Sequence, residues 1–208
     1  MDYILEIDDN ISREMCDEII SRFNKDERKG PGLVMISGVD PNFDTKKVKT
    51  SIDLNLTSYI NTPNGVYWDD IDDFLHKKLN EGLSKYREHI ENIYATKSMP
   101  EMATWSSHFD NLYDRGYQIQ MTEKDGYYVW HDDSDPDTGR ELTYIWYLND
   151  LNHEDGGTTD FECGKRIKPK AGKLVIFPAT WTYIHCGRPV LTDVKKYICT
   201  GWLCCNRK

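Results

Sequence analysis

Two strand-like runs separated by a turn make up residues 127–149, which read YYVWHDDSDPDTGRELTYIWYLN. The first run is aromatic and ends in His131-Asp132-Asp133, and the second is a longer apolar run over residues 142–149. Turn-forming Asp, Pro and Gly residues crowd positions 135–139 between them. Side chains alternate faces along a strand, so we expect His131 and Asp133 to share a face that Asp132 does not. The stretch therefore predicts two strands, the first carrying an imidazole and a carboxylate on one face.

The same pattern of short strand-like runs separated by turns extends over the whole C-terminal half of the chain. Strand-like runs occupy residues 117–122, 127–133, 142–149, 173–177, 181–185 and 195–202. Turn formers separate several of these runs, notably at residues 154–157 and 168–172. Strands this short at this spacing favour a β-barrel or a double-sheet jelly roll.

The N-terminal half carries two helical patterns and one strand pattern. Apolar residues recur at helical spacing within residues 12–24, and Ser12 is placed to cap that helix. A longer apolar stripe over residues 71–93 follows the acidic pair Asp69-Asp70, which suits a helix N-terminus. Residues 48–56 alternate between apolar and polar, which predicts a half-buried strand. We expect an α+β fold that is mainly β, with the helices packed outside the jelly roll.

Length and composition predict a single domain over residues 1–208, with residues 1–114 as N-terminal support and residues 115–205 as the β domain. The 208 residues are enough to bury a core without disulfides or metal. A net charge of −9 argues against nucleic acid as a partner. No apolar run approaches the ~20 residues that span a bilayer, and the acidic start lacks the features of a signal peptide. We therefore expect no membrane partner, a cytoplasmic location and six reduced cysteines.

A second histidine, His185, ends the predicted strand over residues 181–185. Two histidines and one carboxylate on adjacent strands would form a facial triad with open coordination positions, the arrangement typical of non-haem Fe(II) oxygenases. The alternative for each histidine is a purely structural role, as a hydrogen-bonded residue in the wall of the β domain. The H-x-D triplet alone does not separate these interpretations.

A longer pattern separates them, because it spans several motifs in a fixed order. The motifs are residues 128–133, 140–150, 156–161 and 169–178, then His185, Pro189-Val190, Lys196-Tyr197 and Gly201-Trp202. In these motifs the chain resembles the Fe(II)- and 2-oxoglutarate-dependent oxygenases of the prolyl 4-hydroxylase-like family. The resemblance implies a double-stranded β-helix, with His131, Asp133 and His185 as the iron ligands and so as the catalytic residues.

The resemblance also implies a basic residue, on the strand after His185, that pairs with the distal carboxylate of 2-oxoglutarate. Counting from His185 slightly favours Lys195, but the family tryptophan six residues further on matches Trp202 only if Lys196 is chosen. Alternation places Lys196 on one face with Thr200 and Trp202, so we choose Lys196. Tyr147 and Thr200 complete the expected 2-oxoglutarate site.

One family feature is missing from this sequence. Many relatives carry a further tyrosine nine or ten residues before the first iron ligand, where this chain has Thr122 and Met121. The hydrogen bond from that tyrosine to 2-oxoglutarate then has to come from Tyr117 or a water.

The resemblance implies Fe(II), 2-oxoglutarate and O2 as reactants and allows ascorbate as a reductant. The expected reaction releases succinate and CO2 and hydroxylates a C–H bond of a peptidyl side chain, a prolyl one included, or of a free amino acid. Tyr128 and Trp181, with Trp130 and Tyr183, are candidates for the substrate wall, and residues 30–64 are the expected substrate-facing loops. Two alternatives remain open: a catalytically silent β-helix module that binds metal or a partner, and a zinc hydrolase with the same ligands.

Overall fold

The computed structural model describes residues 2–33, 44–56, 67–95, 109–135 and 137–205. These residues form two helices, α1 (Arg13–Lys25) and α2 (Asp69–Ala95). Their strands are β1 (Leu5–Ile7), β2 (Gly30–Pro31), β3 (Ile52–Asn55), β4 (Leu112–Asp114), β5 (Gln118–Thr122), β6 (Tyr128–His131), β7 (Arg140–Tyr147), β8 (Thr159–Phe161), β9 (Arg166–Ile167), β10 (Leu174–Pro178), β11 (His185–Gly187) and β12 (Lys196–Cys205).

Both predicted helices are confirmed. The Ser12 side chain accepts a hydrogen bond from Met15 N at 3.2 Å, which caps α1 at the predicted residue. α2 begins at the acidic residues Asp69 and Asp70, whose charges favour the positive end of the helix dipole. The apolar stripe of each helix packs onto the larger β-sheet, and Gly82 lets α2 approach Leu174 of that sheet closely.

The strands form two antiparallel sheets, which confirms the jelly-roll prediction. The eight-stranded sheet has the order β1-β10-β7-β12-β5-β3-β2, with β4 pairing with β12 as well. The four-stranded sheet has the order β6-β11-β8-β9. From β5 to β12 the chain passes back and forth between the two sheets, with β8 and β9 together in the smaller one, as in a double-stranded β-helix.

Alternation along β12 divides the interior into two apolar clusters. Tyr197, Cys199 and Leu203 belong to a large cluster between the eight-stranded sheet and the helices. Ile198 packs against a smaller cluster that joins the two sheets and includes Tyr147. The same face of β12 as Ile198 therefore looks into the space between the sheets, and candidate site residues lie on that face.

The strand predicted over residues 181–185 is wrong. Trp181–Tyr183 form a 3-10 turn, and His185 begins β11 rather than ending a strand. Tyr183 N donates to Thr180 O at 2.9 Å, so the chain turns where its β-prone aromatic residues suggested an extended strand.

The strand predicted over residues 48–56 is shorter than expected. A 3-10 turn at Thr45–Lys47 precedes it, and β3 begins only at Ile52. Just before β3, Lys49 pairs with Tyr128 of β6, and Thr50 N donates to Tyr127 O at 2.9 Å. This segment therefore crosses from the four-stranded sheet to the eight-stranded sheet.

Two further expectations concern the outside of the fold. Of the expected substrate-facing loops at residues 30–64, residues 34–43 and 57–64 lie outside the described residues. Neither helix in the described part of the chain is long and apolar enough to cross a membrane.

Candidate metal centre

His131, Asp133 and His185 come together at one end of the four-stranded sheet. His131 and His185 are direct partners in the pairing of β6 with β11, and their ring centroids are 4.3 Å apart. Asp133 follows β6, with its carboxylate oxygens 3.9 Å from His131 Nε2 and 3.5 Å from His185 Nε2. One ligand atom from each residue lies within 4.8 Å of the other two. The predicted triad is thus a compact cluster of two nitrogens and one carboxylate.

Backbone carbonyls fix the orientation of both imidazoles. His131 Nδ1 lies 2.8 Å from Val129 O, and His185 Nδ1 lies 3.0 Å from Tyr183 O. Because a carbonyl can only accept, each Nδ1 carries a proton, and Nε2 is the nitrogen of each ring that remains available to a metal. Histidine ligands of metals are typically oriented in this way.

The two neighbouring aspartates have different surroundings, as alternation predicted. Thr143 Oγ1 donates to Asp133 Oδ2 at 2.7 Å, and Asp133 is buried beside the imidazoles. Asp132 instead accepts from Ser134 N at 2.9 Å, in a local turn. Only Asp133 can contribute to the cluster.

The protonation states suit a divalent cation. Burial, together with the neighbouring His185, lowers the pKa of His131 to about 4, so its imidazole is neutral at physiological pH. Burial would raise the pKa of Asp133, but the two imidazoles and the Thr143 hydroxyl lower it overall. Two imidazoles and one carboxylate form the donor set that Fe(II) takes in non-haem oxygenases.

A β-bulge places Tyr128 beside the triad. The pairing of β6 with β11 shifts register between His185 and Gly187, so Tyr128 and His131 lie on the same face. Their rings stack with centroids 3.6 Å apart and planes at 17°. Burial raises the pKa of the Tyr128 hydroxyl, which keeps it protonated.

The other proposed substrate-wall residues are not gathered around the triad in the same way. Trp130 and Trp181 are 49% and 71% exposed. Tyr183 packs edge-on against Tyr3, with ring centroids 6.4 Å apart. Tyr128 is therefore the one aromatic of this set that stacks on a triad residue.

Lys195 and Lys196 lie on opposite faces of the chain. Lys195 Nζ pairs with Glu123 at 2.8 Å, and its side chain is 46% exposed. Lys196 is buried, and among the described residues its ammonium has no hydrogen bond or ion pair, only the Tyr147 ring at 5.6 Å from the centroid. Burial without a carboxylate partner lowers the pKa of Lys196 to about 8. The Lys196 ammonium is therefore suited to pair with an anionic ligand.

Tyr147 and Thr200 are buried on the same inner surface as Lys196. Tyr147 donates its hydroxyl proton to Thr159 Oγ1 at 2.7 Å, and Thr200 donates to the Tyr144 carbonyl at 2.7 Å. Toward a ligand, the Thr200 hydroxyl is therefore left as an acceptor.

Tyr117 cannot take the place of the missing family tyrosine. Its ring lies 5.9 Å from that of Tyr144 and 6.2 Å from that of Trp146, in the cluster between the eight-stranded sheet and the helices. The residue directly opposite Lys196 in the pairing of β12 with β5 is Thr122.

Several residues near the triad were not predicted as site residues from the sequence. Besides Thr143, they include Arg140, whose guanidinium lies 3.7 Å from the centre of the Trp202 ring. The buried Trp202 Nε1 has no hydrogen-bond acceptor among the residues described.

A comparison of the sequence with known families indicates the class of protein in which this cluster of side chains occurs. A family model of the 2OG-Fe(II) oxygenase superfamily matches residues 117–204, which contain the triad and Lys196. The part of the chain that carries the candidate site therefore belongs to the 2OG-Fe(II) oxygenase superfamily. Enzymes of this family use Fe(II), 2-oxoglutarate and O2, and the oxygenase has a donor set that fits this metal. None of the curated protein sequences compared with it matches.

Solved structures share the fold of the oxygenase over nearly its whole length. A viral collagen prolyl hydroxylase from Paramecium Bursaria Chlorella virus-1, in complex with 2-oxoglutarate, has a TM-score of 0.63 at 22% identity and covers 97% of this chain and 96% of its own. A Pseudomonas putida prolyl-4-hydroxylase has a TM-score of 0.63 at 15% identity, with coverage of 98% and 93%.

A third solved structure holds a peptide. It is a prolyl hydroxylase from Trichoplax adhaerens in complex with a peptide fragment of the oxygen degradation domain of hypoxia inducible factor. Its TM-score is 0.61 at 14% identity, and the match covers 97% of this chain and 83% of that one. At these identities the likeness is one of fold.

Proposed function

We propose that this oxygenase holds Fe(II) through His131, Asp133 and His185 and hydroxylates a side chain of a peptide, with prolyl residues as the first class to test. The observation that carries the ligand assignment is the cluster of one carboxylate and two carbonyl-oriented imidazoles. The prolyl hydroxylases of the same fold, one of them in complex with a peptide, support the substrate class. We also propose that residues 1–208 act as one domain and that the protein works in the cytoplasm.

Bound Fe(II), with O2, supplies the oxidising chemistry in which 2-oxoglutarate becomes succinate and CO2 and the substrate C–H bond gains a hydroxyl group. The protein's own residues hold and orient the reactants. His131 and His185 present Nε2 lone pairs, and Thr143 holds the Asp133 carboxylate in place. Lys196 would pair with the distal carboxylate of 2-oxoglutarate, beside the Tyr147 hydroxyl and Thr200.

The substrate would approach from the side of Tyr128. The Tyr128 ring stacks on His131 and is therefore the residue of the proposed substrate wall that lies against a metal ligand. Trp181 is available on the surface before β11, where an extended peptide could contact it. A free amino acid remains the competing substrate.

Succinate formation tests the proposal. Purified protein is reconstituted with Fe(II) and 2-oxoglutarate without oxygen, then exposed to O2 with proline-containing peptides or free amino acids. We expect succinate above a metal-free control and a hydroxylated product with a peptide. Folded protein that forms no succinate would instead support a silent binding module.

A pair of neighbouring variants tests the ligand assignment. Asp133→Ala removes the only carboxylate of the cluster, so we expect loss of Fe(II) binding and of succinate formation, with the fold retained. Asp132→Ala removes only a turn contact to Ser134 and is expected to keep both. Loss of metal binding in Asp132→Ala but not in Asp133→Ala would show that the assignment is wrong.

A further inference from the structure

A buried ion pair lies beside the metal centre and is not used by the reaction. Lys49 Nζ lies 2.7 Å from Asp53 Oδ2, and the two side chains are 5% and 8% exposed. Ser51 Oγ donates to the other Asp53 oxygen at 2.7 Å. Burying both charges removes their favourable interaction with water, and their mutual attraction compensates for only part of that loss. A purely stabilising role therefore does not explain why the pair is buried.

The position of the pair connects it to the triad through one aromatic ring. Lys49 is the direct partner of Tyr128 where the crossing segment pairs with β6. Its ammonium lies 5.4 Å from the centre of the Tyr128 ring, within the range of a cation–π interaction. That ring stacks on His131 at 3.6 Å.

The backbone around the pair leaves it little freedom. Thr50 N donates to Tyr127 O, and Val129 N donates to Val48 O, each at 2.9 Å. On the other side, Gly32 lies against Ser51 and Asp53 so closely that a Cβ there would overlap both side chains. The backbone pairing and the Asp53 carboxylate together hold the Lys49 ammonium over the Tyr128 ring.

We propose that Lys49 and Asp53 form a positioning pair that holds Tyr128 stacked on His131, so that this imidazole is already oriented for the metal. The inference rests on the proposed function, because it takes His131 as a metal ligand. Lys49 is not part of the proposed donor set of His131, Asp133 and His185. It acts on His131 only through the Tyr128 ring.

The test compares a charge-neutral double variant with a conservative single variant. Lys49→Met/Asp53→Asn removes both charges while keeping similar side-chain volumes, so no unpaired charge is left buried. Lys49→Arg keeps the ion pair and a cation that can lie over an aromatic ring. Lys47→Met is the matched control, because Lys47 is an exposed lysine in the same segment.

The first measurement uses apoprotein and needs neither metal nor turnover. The ring current of Tyr128 shifts the proton resonances of the His131 ring in NMR spectra, and Tyr128→Leu identifies these resonances by abolishing the shift. We expect Lys49→Met/Asp53→Asn to move them most of the way to their Tyr128→Leu positions. Lys49→Arg and Lys47→Met should leave them at their wild-type positions. An unchanged His131 signal in the folded double variant overturns the proposal.

The second measurement is Co(II) affinity, followed by the visible absorption of the bound ion. Loss of a residue that orients a histidine ligand weakens metal binding by about tenfold or more, and we expect this of the double variant. Wild-type affinity in the double variant also overturns the positioning role. If wild-type protein itself binds no Co(II), the proposed function fails, whereas the NMR result still decides whether the pair holds Tyr128.

Discussion

Lys196 is the residue whose surroundings say most about the ligand. Its ammonium is buried beside Tyr147 with no carboxylate partner in the described structure, whereas Lys195 is paired with Glu123 at the surface. The proposed charge-assisted contact between Lys196 and a carboxylate of 2-oxoglutarate would contribute about 1.5–3 kcal/mol. Lys196→Ala should therefore weaken 2-oxoglutarate binding by roughly one to two orders of magnitude, since 1.4 kcal/mol is about tenfold.

Calorimetric titration with 2-oxoglutarate, in protein loaded with a redox-inert divalent metal, measures this loss directly. Lys195→Ala is the matched control, because it removes the same charge from the opposite face of the strand. Metal affinity should be similar in both variants. A larger loss in Lys195→Ala than in Lys196→Ala would mean that the strand register has been misinterpreted.

The same lysine predicts a pH dependence of 2-oxoglutarate binding. Burial lowers its pKa from 10.5 to about 8 in the ligand-free protein, and a bound carboxylate favours the charged form. Below this pKa, Lys196 is already protonated and affinity should be level. Above it, binding must take up a proton, so affinity should fall by up to about tenfold per pH unit. Measured between pH 7 and 9.5, the fall should be absent in Lys196→Ala; the same slope in that variant would assign it to another group.

Among the elements, the turn before β10 depends on one glycine. Gly172 has a φ of +81°, and a Cβ there would overlap the carbonyl oxygen of Ile11. Its own carbonyl accepts from Asn10 N at 2.9 Å and from Ile11 N at 3.3 Å, which ties the segment before α1 to this turn. The turn therefore requires both left-handed angles and the absence of a side chain.

Gly172→Ala should lower the melting temperature more than Gly164→Ala does. Gly164 also has positive φ, +90°, but a Cβ there meets no atom within 4 Å. Left-handed angles cost a residue with a Cβ about 1–2 kcal/mol, and each kcal/mol is about 2–4 °C in a protein of this size. Gly164→Ala should lose only that much, as measured by circular dichroism. Equal losses in the two variants would mean that the contact with Ile11 is relieved at no cost.

Sequence patterns predicted the elements whose periodicity runs over several turns or pairs. α1, α2 and the strands from β5 to β7 carry repeats long enough to identify. β8 and β9, at three and two residues, are too short to show alternation. The turn at Trp181–Tyr183 is set by tertiary pairing of β11, which overrides the β propensity of its residues.

Within the candidate site, the sequence motifs predicted the three side chains that the structure brings together, His131, Asp133 and His185, but not the residues that contact them. Thr143 and the bulge at Tyr128 depend on the register between strands, which the order of residues does not state. The alternation over residues 48–56 predicted only a half-buried strand. Lys49 and Asp53, on its polar side, are instead buried, because that side faces the space between the two sheets.

At the scale of the whole molecule, the candidate site draws on both sheets. The triad belongs to the end of the four-stranded sheet, whereas Lys196 and Tyr147 belong to the eight-stranded sheet. A metal ion bound by the triad alone would contact residues at the end of the four-stranded sheet only. A 2-oxoglutarate molecule that also pairs with Lys196 engages both, so metal and 2-oxoglutarate together should stabilise the fold by more than the sum of their separate effects.

Thermal melts with each ligand alone and with both test this cooperation. A ligand present at about 100 times its dissociation constant stabilises the folded state by about 2.7 kcal/mol, which is roughly 5–11 °C for a protein of this size. With a redox-inert metal present, wild-type protein and Lys195→Ala should show a rise of this size on addition of 2-oxoglutarate. Without metal the rise should be small, and in Lys196→Ala it should be largely lost even with metal. Equal rises with and without metal would show that 2-oxoglutarate binds elsewhere, because a ligand that joins the metal to Lys196 must depend on both.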